Sequence, residues 1–200
     1  MKIVIAPQAF KGSISAMDVA RAMRDGIRNV LSDVETVVVP VADGGDGTLE
    51  TLVESTAGEV HTAEVTGPLG DRIVAQWGAM GDAKTAVIEM ARTSGLALVP
   101  INERNPLTTT TFGLGEIILD ALDAGFRNFI IGIGGSATND AGAGMAQALG
   151  VSLMDSGGAE LPYGGAALAD LNTIDVSHLD SRVLESKFSV ACDVNNPLTG

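Results

Sequence analysis

Positive charge is scarce in this sequence. Its 200 residues carry 12 Lys and Arg against 25 Asp and Glu, a formal net charge of −13. Nucleic acids and anionic membrane surfaces are recognised by clustered Lys and Arg, so the balance argues against both as partners. Cysteine is nearly absent: Cys192 stands alone, which excludes an internal disulfide and fits a reducing, cytoplasmic setting. Long apolar runs are missing too. Gly or Pro interrupts each one short of the roughly 20 residues that span a bilayer. The first, Ile3-Val4-Ile5-Ala6, stops at Pro7, too soon for the core of a signal peptide. Histidine is limited to His61 and His178, a poor supply for a Ser-His triad. What is present is 46 % hydrophobic residues, enough to bury a core in one or two domains.

Apolar β-branched runs alternate with helical periodicity, the pattern of a parallel or mixed sheet with helices on its faces. Ile3 to Ile5 reads as a strand. Ser15 with Asp18 forms a capping box for a helix with Val19, Ala20, Met23, Ile27, Val30 and Leu31 on one side. A second strand is expected over Thr36–Val41, and a second helix over Leu49–Thr56 with Gly58 as its stop. Between Glu59 and Glu89 the runs EVHTAEV, RIVAQW and TAVIEM alternate and are split by Gly67-Pro-Leu-Gly70, which reads as a small meander or sheet edge. Helical spacing resumes from Leu114 to Leu122, a strand follows over Phe129–Ile133, then a helix over Asp140–Leu149 and short strands at Val151–Met154 and Phe188–Cys192. The change of pattern sets the expected division into an N-terminal α/β lobe, 1–65, and a second, partial α/β domain, 66–200.

Four loops follow apolar strands, and ligands of open α/β sheets gather at such strand ends. In IGIGGSATNDAGAGM, Gly134 and Gly135 let backbone approach a bound group, Ser136, Thr138 and Asn139 add donors, and Asp140 opens the next helix, whose start favours an anion such as phosphate. The alternative for these glycines is close packing of helix on sheet. No Lys follows them, so this is not a Walker A loop, and Thr138 stands where a nucleophile elbow around Ser136 needs Gly. In VADGGDGT, Asp43 and Asp46 suit Mg²⁺ or substrate hydroxyls, although Asp46 equally suits a helix start. In APQAFKGS, Lys11 stands alone among neutral residues, placed to neutralise a phosphoryl group or carboxylate, or simply to be solvated. In SVACDVNNPLTG, a strand delivers Asp193, Asn195 and Asn196 into a turn, with Asp193 a general base or a cap. Arg92, Ser94 and Thr108 to Thr111 offer further donors for a carboxylate, with capping as the simpler role for the threonines.

Taken in order, APQAFKGSISA, VPVADGGDGT, VTGPLGD, IEMARTSGLALV, TTTFGLGEIILDAL, IGIGGSATNDAGAGMAQALG and ACDVNNPLTG resemble the bacterial glycerate kinases of the first type over nearly all 200 residues. The resemblance implies two α/β domains around a cleft, with Rossmann- or flavodoxin-like layers. It implies transfer of a phosphoryl group from ATP to D-glycerate with Mg²⁺, giving 2-phosphoglycerate, with 3-phosphoglycerate as the other product. In that setting the Gly134 to Asp140 loop, Ser94 and Asn196 bind substrate or nucleotide, Asp43 and Asp46 hold metal, Lys11 stabilises charge, and Asp193 orients or deprotonates the glycerate hydroxyl. Two positions depart from the family: Gln8 stands where Asp is usual, and Asp46 where Glu is usual. Family members continue for about as long again past CDVNNPLTG, so residues 1–200 resemble an N-terminal half that is inactive alone. Homo-oligomerisation stays open. A non-enzymatic α/β module binding a small organic acid or nucleotide is the rival reading, and a serine hydrolase on Ser136 is remote. Lys11→Met is expected to lower turnover of the full-length enzyme by orders of magnitude while leaving its thermal unfolding unchanged, as steady-state kinetics and a melting curve will show.

Overall fold

The structure, a computed structural model, describes residues 1–10, 13–192 and 194. Along the chain run β1 (Lys2–Ile5), α1 (Ala16–Val30), β2 (Glu35–Val38), α2 (Thr48–Thr56), β3 (Glu59–Thr66), β4 (Arg72–Ala79) and β5 (Thr85–Glu89). Then come α3 (Ala91–Ser94), α4 (Phe112–Asp123), β6 (Asn128–Gly132), α5 (Ala143–Ala148), β7 (Ser152–Met154), β8 (Thr173–Asp175), α6 (Ser181–Leu184) and β9 (Lys187–Ala191). Among the described residues no helix is long and apolar enough to cross a membrane.

The architecture is α/β. β1 and β2 pair in parallel, Ile3 opposite Thr36, with α1 as the crossover that parallel pairing requires. The capping box is formed: Ser15 Oγ accepts from the Asp18 N–H at 3.1 Å and donates to its carboxylate at 2.8 Å. A five-stranded sheet follows in the order β3-β4-β5-β6-β9, antiparallel as far as β5 and parallel beyond it. The meander is therefore real and forms one side of this mixed sheet. β7 and β8 make a separate antiparallel pair.

β5 is covered on both faces, which explains its continuous apolar run. Ala86 and Ile88 join Trp77, Phe129 and the Leu114, Ile117, Ile118 and Leu122 side chains of α4, while Val87 turns the other way onto Leu49 and Val53 of α2. Trp77 is fully buried and its indole N–H donates to Asp120 at 2.6 Å. His61 stacks on that indole with ring centroids 4.3 Å apart, a packing role for one of the two histidines.

Several boundaries differ from the expected ones for physical reasons. Sheet membership puts α2 and β3 with the large sheet, so the change of layer falls between β2 and α2, ahead of residue 65. β2 ends at Val38 because Pro40 has no N–H for the ladder, although the Val39 and Val41 N–H groups still reach the Ile5 and Pro7 carbonyls. α2 stops in a left-handed residue as expected, but that residue is Ala57 (φ 55°), while Gly58 is needed because a Cβ there would strike the Ala79 carbonyl. α5 starts at Ala143 rather than Asp140, since the preceding residues Ala141 and Gly142 both have positive φ. The short elements α3, β8 and α6 carry too few periodic positions to stand out in the sequence. Ile117→Ala, at a fully buried position, is expected to cost about 2–5 kcal/mol, seen as a lower urea midpoint with an unchanged slope.

Candidate active site

Two glycine-rich loops meet at the carboxyl ends of β6 and β9. The Gly134 N–H donates to the Gly44 carbonyl at 3.1 Å, and the Ile133 N–H reaches the Ala191 carbonyl at 3.3 Å. A Cβ at Gly132 or Gly134 would strike the backbone of Gly44 and Gly45, and one at Gly44 would strike Ala191. These glycines are therefore glycine because loop packs on loop, a contact different from the helix-on-sheet packing considered from the sequence. The contact also sets the carboxylates. Asp46 Oδ1 lies 3.3 Å from where a Gly135 Cβ would stand. Asp43, exposed, accepts the Gly45 N–H on Oδ1 at 3.0 Å and the Gln8 side-chain amide on Oδ2.

The far end of the Ile131 to Met145 loop is fastened from inside. Asp140, 1 % exposed, accepts from the Thr111 N–H (2.9 Å), the Thr111 hydroxyl (2.8 Å) and the Gly144 N–H (3.2 Å) on Oδ2, and from the Gly142 N–H (3.1 Å) on Oδ1. The Thr111 hydroxyl in turn accepts the Met145 N–H at 3.0 Å. The amides at the start of α5 are thus committed to internal partners, and Asp140 is the cap of that helix. Ser94, fully buried, gives its carbonyl to the Ala137 N–H (2.8 Å) and holds the loop from beneath. Thr109 supports it as well, its hydroxyl donating to the Ala137 carbonyl at 2.8 Å. What remains at the surface of the loop is Gly135, half-buried Ser136 and Thr138, and exposed Asn139, with the Ser136 and Thr138 hydroxyls 2.7 Å apart.

A cleft of about 360 Å³ opens beside the first loop, between the start of α1 and α2, with Phe10, Ser13, Ser15, Asp46, Glu50 and Arg92 on its walls. Arg92 is fixed there by Glu89 (Nε to Oε2, 2.7 Å), Gln76 (2.6 Å) and Glu50. Burial pulls its guanidinium down, but the two glutamates outweigh that and hold it above its ordinary value. Glu89, at the end of β5 and 2 % exposed, also accepts the Leu49 N–H at 2.9 Å. This buried carboxylate was missed by sequence reasoning. Its signal was a lone acid closing the apolar run TAVIE at a strand's carboxyl end.

Lys11, Asp193 and Asn196 lie outside the described residues. Among the described residues no three or more His, Cys, Asp or Glu side chains converge as a metal site. Asp43 and Asp46 are hard oxygen donors brought to one loop, which suits Mg²⁺ held by one or two carboxylates with water and phosphate oxygens completing the shell. Asp140→Ala is expected to strand the Thr111, Gly142 and Gly144 amides and to cost on the order of 3 kcal/mol, with Asp140→Asn intermediate, both read from thermal unfolding.

Known proteins are similar to this chain in sequence and fold. The family model described as glycerate kinase family matches residues 3–200. The chain is 56 % identical over its whole length to the glycerate 2-kinase of Escherichia coli K12 and 57 % identical to the glycerate kinase of Bacillus subtilis 168, covering 52 % of each. A crystal structure assigned as glycerate kinase 2 from Salmonella typhimurium LT2 superposes with a TM-score of 0.93 at 55 % identity, over all of this chain and 54 % of that one. The chain spans about half the length of the curated relatives it matches. It belongs to the glycerate kinase family.

Proposed function

We propose that this chain carries the acceptor and phosphate edge of a cytoplasmic kinase that transfers the γ-phosphoryl group of ATP to D-glycerate, giving 2-phosphoglycerate and ADP. The observation that carries the reading is the direct packing of the Asp43–Asp46 loop on the Gly134–Ser136 loop at the sheet's carboxyl edge. That contact sets two carboxylates beside small hydroxyls and accessible backbone, the composition a phosphoryl-transfer site needs. It rests on family membership for the substrate and on this geometry for the roles.

In the transfer, the glycerate C2 hydroxyl oxygen bonds to the γ-phosphorus as the bond to the β–γ bridging oxygen breaks. Its proton passes to a base, and ADP leaves. Asp193 takes the proton or orients the hydroxyl. Mg²⁺, when bound through Asp43 and Asp46, neutralises phosphate charge. Gly135, Ser136, Thr138 and Asn139 donate to phosphate or glycerate oxygens, with Gly134, Ser94 and Asp140 holding that surface in place. Lys11 stabilises the charge that develops on the transferring group, and Asn196 adds a donor on the last loop. Positioning and charge stabilisation supply most of the acceleration, so no serine or cysteine nucleophile is required.

Gln8 bears on the same edge. Where the family it resembles usually carries Asp, this chain sets an amide that donates to Asp43 Oδ2, so the position adds a donor rather than a further negative charge. An ADP-release assay with D-glycerate and ATP-Mg²⁺, run on this chain and on its full-length parent with phosphorus NMR of the product, tests the reading. Turnover by the parent alone, with a 2-phosphate resonance, is the expected result. Binding of either ligand without turnover by the parent would favour a sensor module, and a 3-phosphate resonance would reassign the attacking hydroxyl.

A further inference from the structure

We propose that Glu89 is a positioning residue of this reaction, acting through the Asp43–Asp46 loop; the proposal rests on the kinase reading above. α2 begins without a capping side chain, because its N-cap is Gly47 in the left-handed region (φ 93°). Ser, Thr, Asp or Asn normally fills that position and satisfies an amide of the first turn. Here the acceptor arrives from 40 residues away: Glu89 Oε1 takes the Leu49 N–H at 2.9 Å. The other oxygen, Oε2, takes Arg92 Nε at 2.7 Å. Arg92 is itself braced by the Gln76 side chain and by Glu50 on the first turn of α2.

The consequence is mechanical. Asp43 and Asp46 lie on the short stretch between β2 and α2, and two contacts among the described residues help tie that stretch to the large sheet. One is the Gly134 to Gly44 hydrogen bond. The other is the Glu89 carboxylate, buried, with a cation on one oxygen and a helix amide on the other. Glu89 is 2 % exposed and is proposed to act from behind the loop. It sets where the two aspartates stand relative to Gly135 and Ser136, and phosphoryl transfer is sensitive to such placement at the ångström scale.

The variant to make in the full-length parent is Glu89→Gln. It keeps the size of the side chain and leaves one oxygen for the Leu49 N–H, but it removes the charge and turns an amide donor toward Arg92 Nε. The half-saturating Mg²⁺ concentration and the KM for D-glycerate are expected to rise about tenfold. Hydrogen exchange of the 41–53 peptide is expected to accelerate in parallel. A lower active fraction and melting point with both constants unchanged would reduce Glu89 to a structural part and overturn the proposal. Raised constants with unchanged exchange in 41–53 would also overturn it, since the effect would then bypass the loop. If Glu89→Gln does not accumulate folded, Arg92→Lys serves instead: it keeps the charge, loses the rigid fork, and is expected to move the same constants in the same direction by a smaller factor. Failure of the wild-type parent to consume glycerate would sink the kinase reading, whereas the exchange measurement would still report on the link from Glu89 to Leu49.

Discussion

The hydrogen bond from the Gly134 amide to the Gly44 carbonyl, 3.1 Å long, is the contact on which the candidate site depends. It forms only because backbone meets backbone. A Cβ at Gly44, Gly132 or Gly134 would collide with main-chain atoms of the opposing loop or of Ala191. Those glycines lose more backbone entropy on folding than other residues would. The return is that two loops from different sheets share one surface, with carboxylates from one beside hydroxyls from the other.

The glycines create a second problem, solved twice in the same way. α2 and α5 both start after a left-handed glycine, Gly47 and Gly142, and neither N-cap carries a side chain to satisfy the first turn. In each case a buried carboxylate supplies the acceptor. For α2 it is Glu89 of the adjoining strand; for α5 it is Asp140 just upstream, joined to Thr111 at the start of α4. A cap located in the N-cap residue ties a helix only to itself. A cap from another element ties the loop ahead of the helix to the body of the domain, which converts helix capping into positioning of the loop. The charge is tolerated in a dry setting because every oxygen has strong donors, an arginine and an amide for Glu89, several amides and a hydroxyl for Asp140.

Periodicity made much of this readable from the sequence. The alternation of runs, the capping box at Ser15, the meander before Glu89 and the strand ending near Ile133 all follow from residue spacing, and the structure has them. What spacing does not encode is which loops touch. The reading that Gly134 and Gly135 wait for phosphate and the reading that they admit a neighbour use the same residues, and only the fold places Gly44 against Gly134. Glu89 was hard to single out for a related reason. A lone acid after TAVI resembles the polar end of any strand, and its value comes from Leu49, far away along the chain. Asp140 was read at a helix start with the right chemistry, yet its partners turned out to be the protein's own amides, because α5 begins three residues later.

Charge then sets a requirement on the site as a whole. On the proposed kinase reading the substrates, ATP and glycerate, are anions, while the chain carries a formal net charge of −13. The guanidinium on the wall of the cleft is Arg92, and it is already paired with Glu89 and Glu50, so it contributes rigidity rather than net attraction. The α5 amides are taken by Asp140 and Thr111. Under the proposal, attraction for the phosphates would come from elsewhere: from Lys11, from a divalent cation held by Asp43 and Asp46, and from unburied donors on Gly135 to Asn139. Under that proposal nucleotide would bind poorly without the cation, since the aspartates proposed to hold it would repel the phosphates in its absence. The proposed kinase reading therefore requires metal and nucleotide to arrive as one unit.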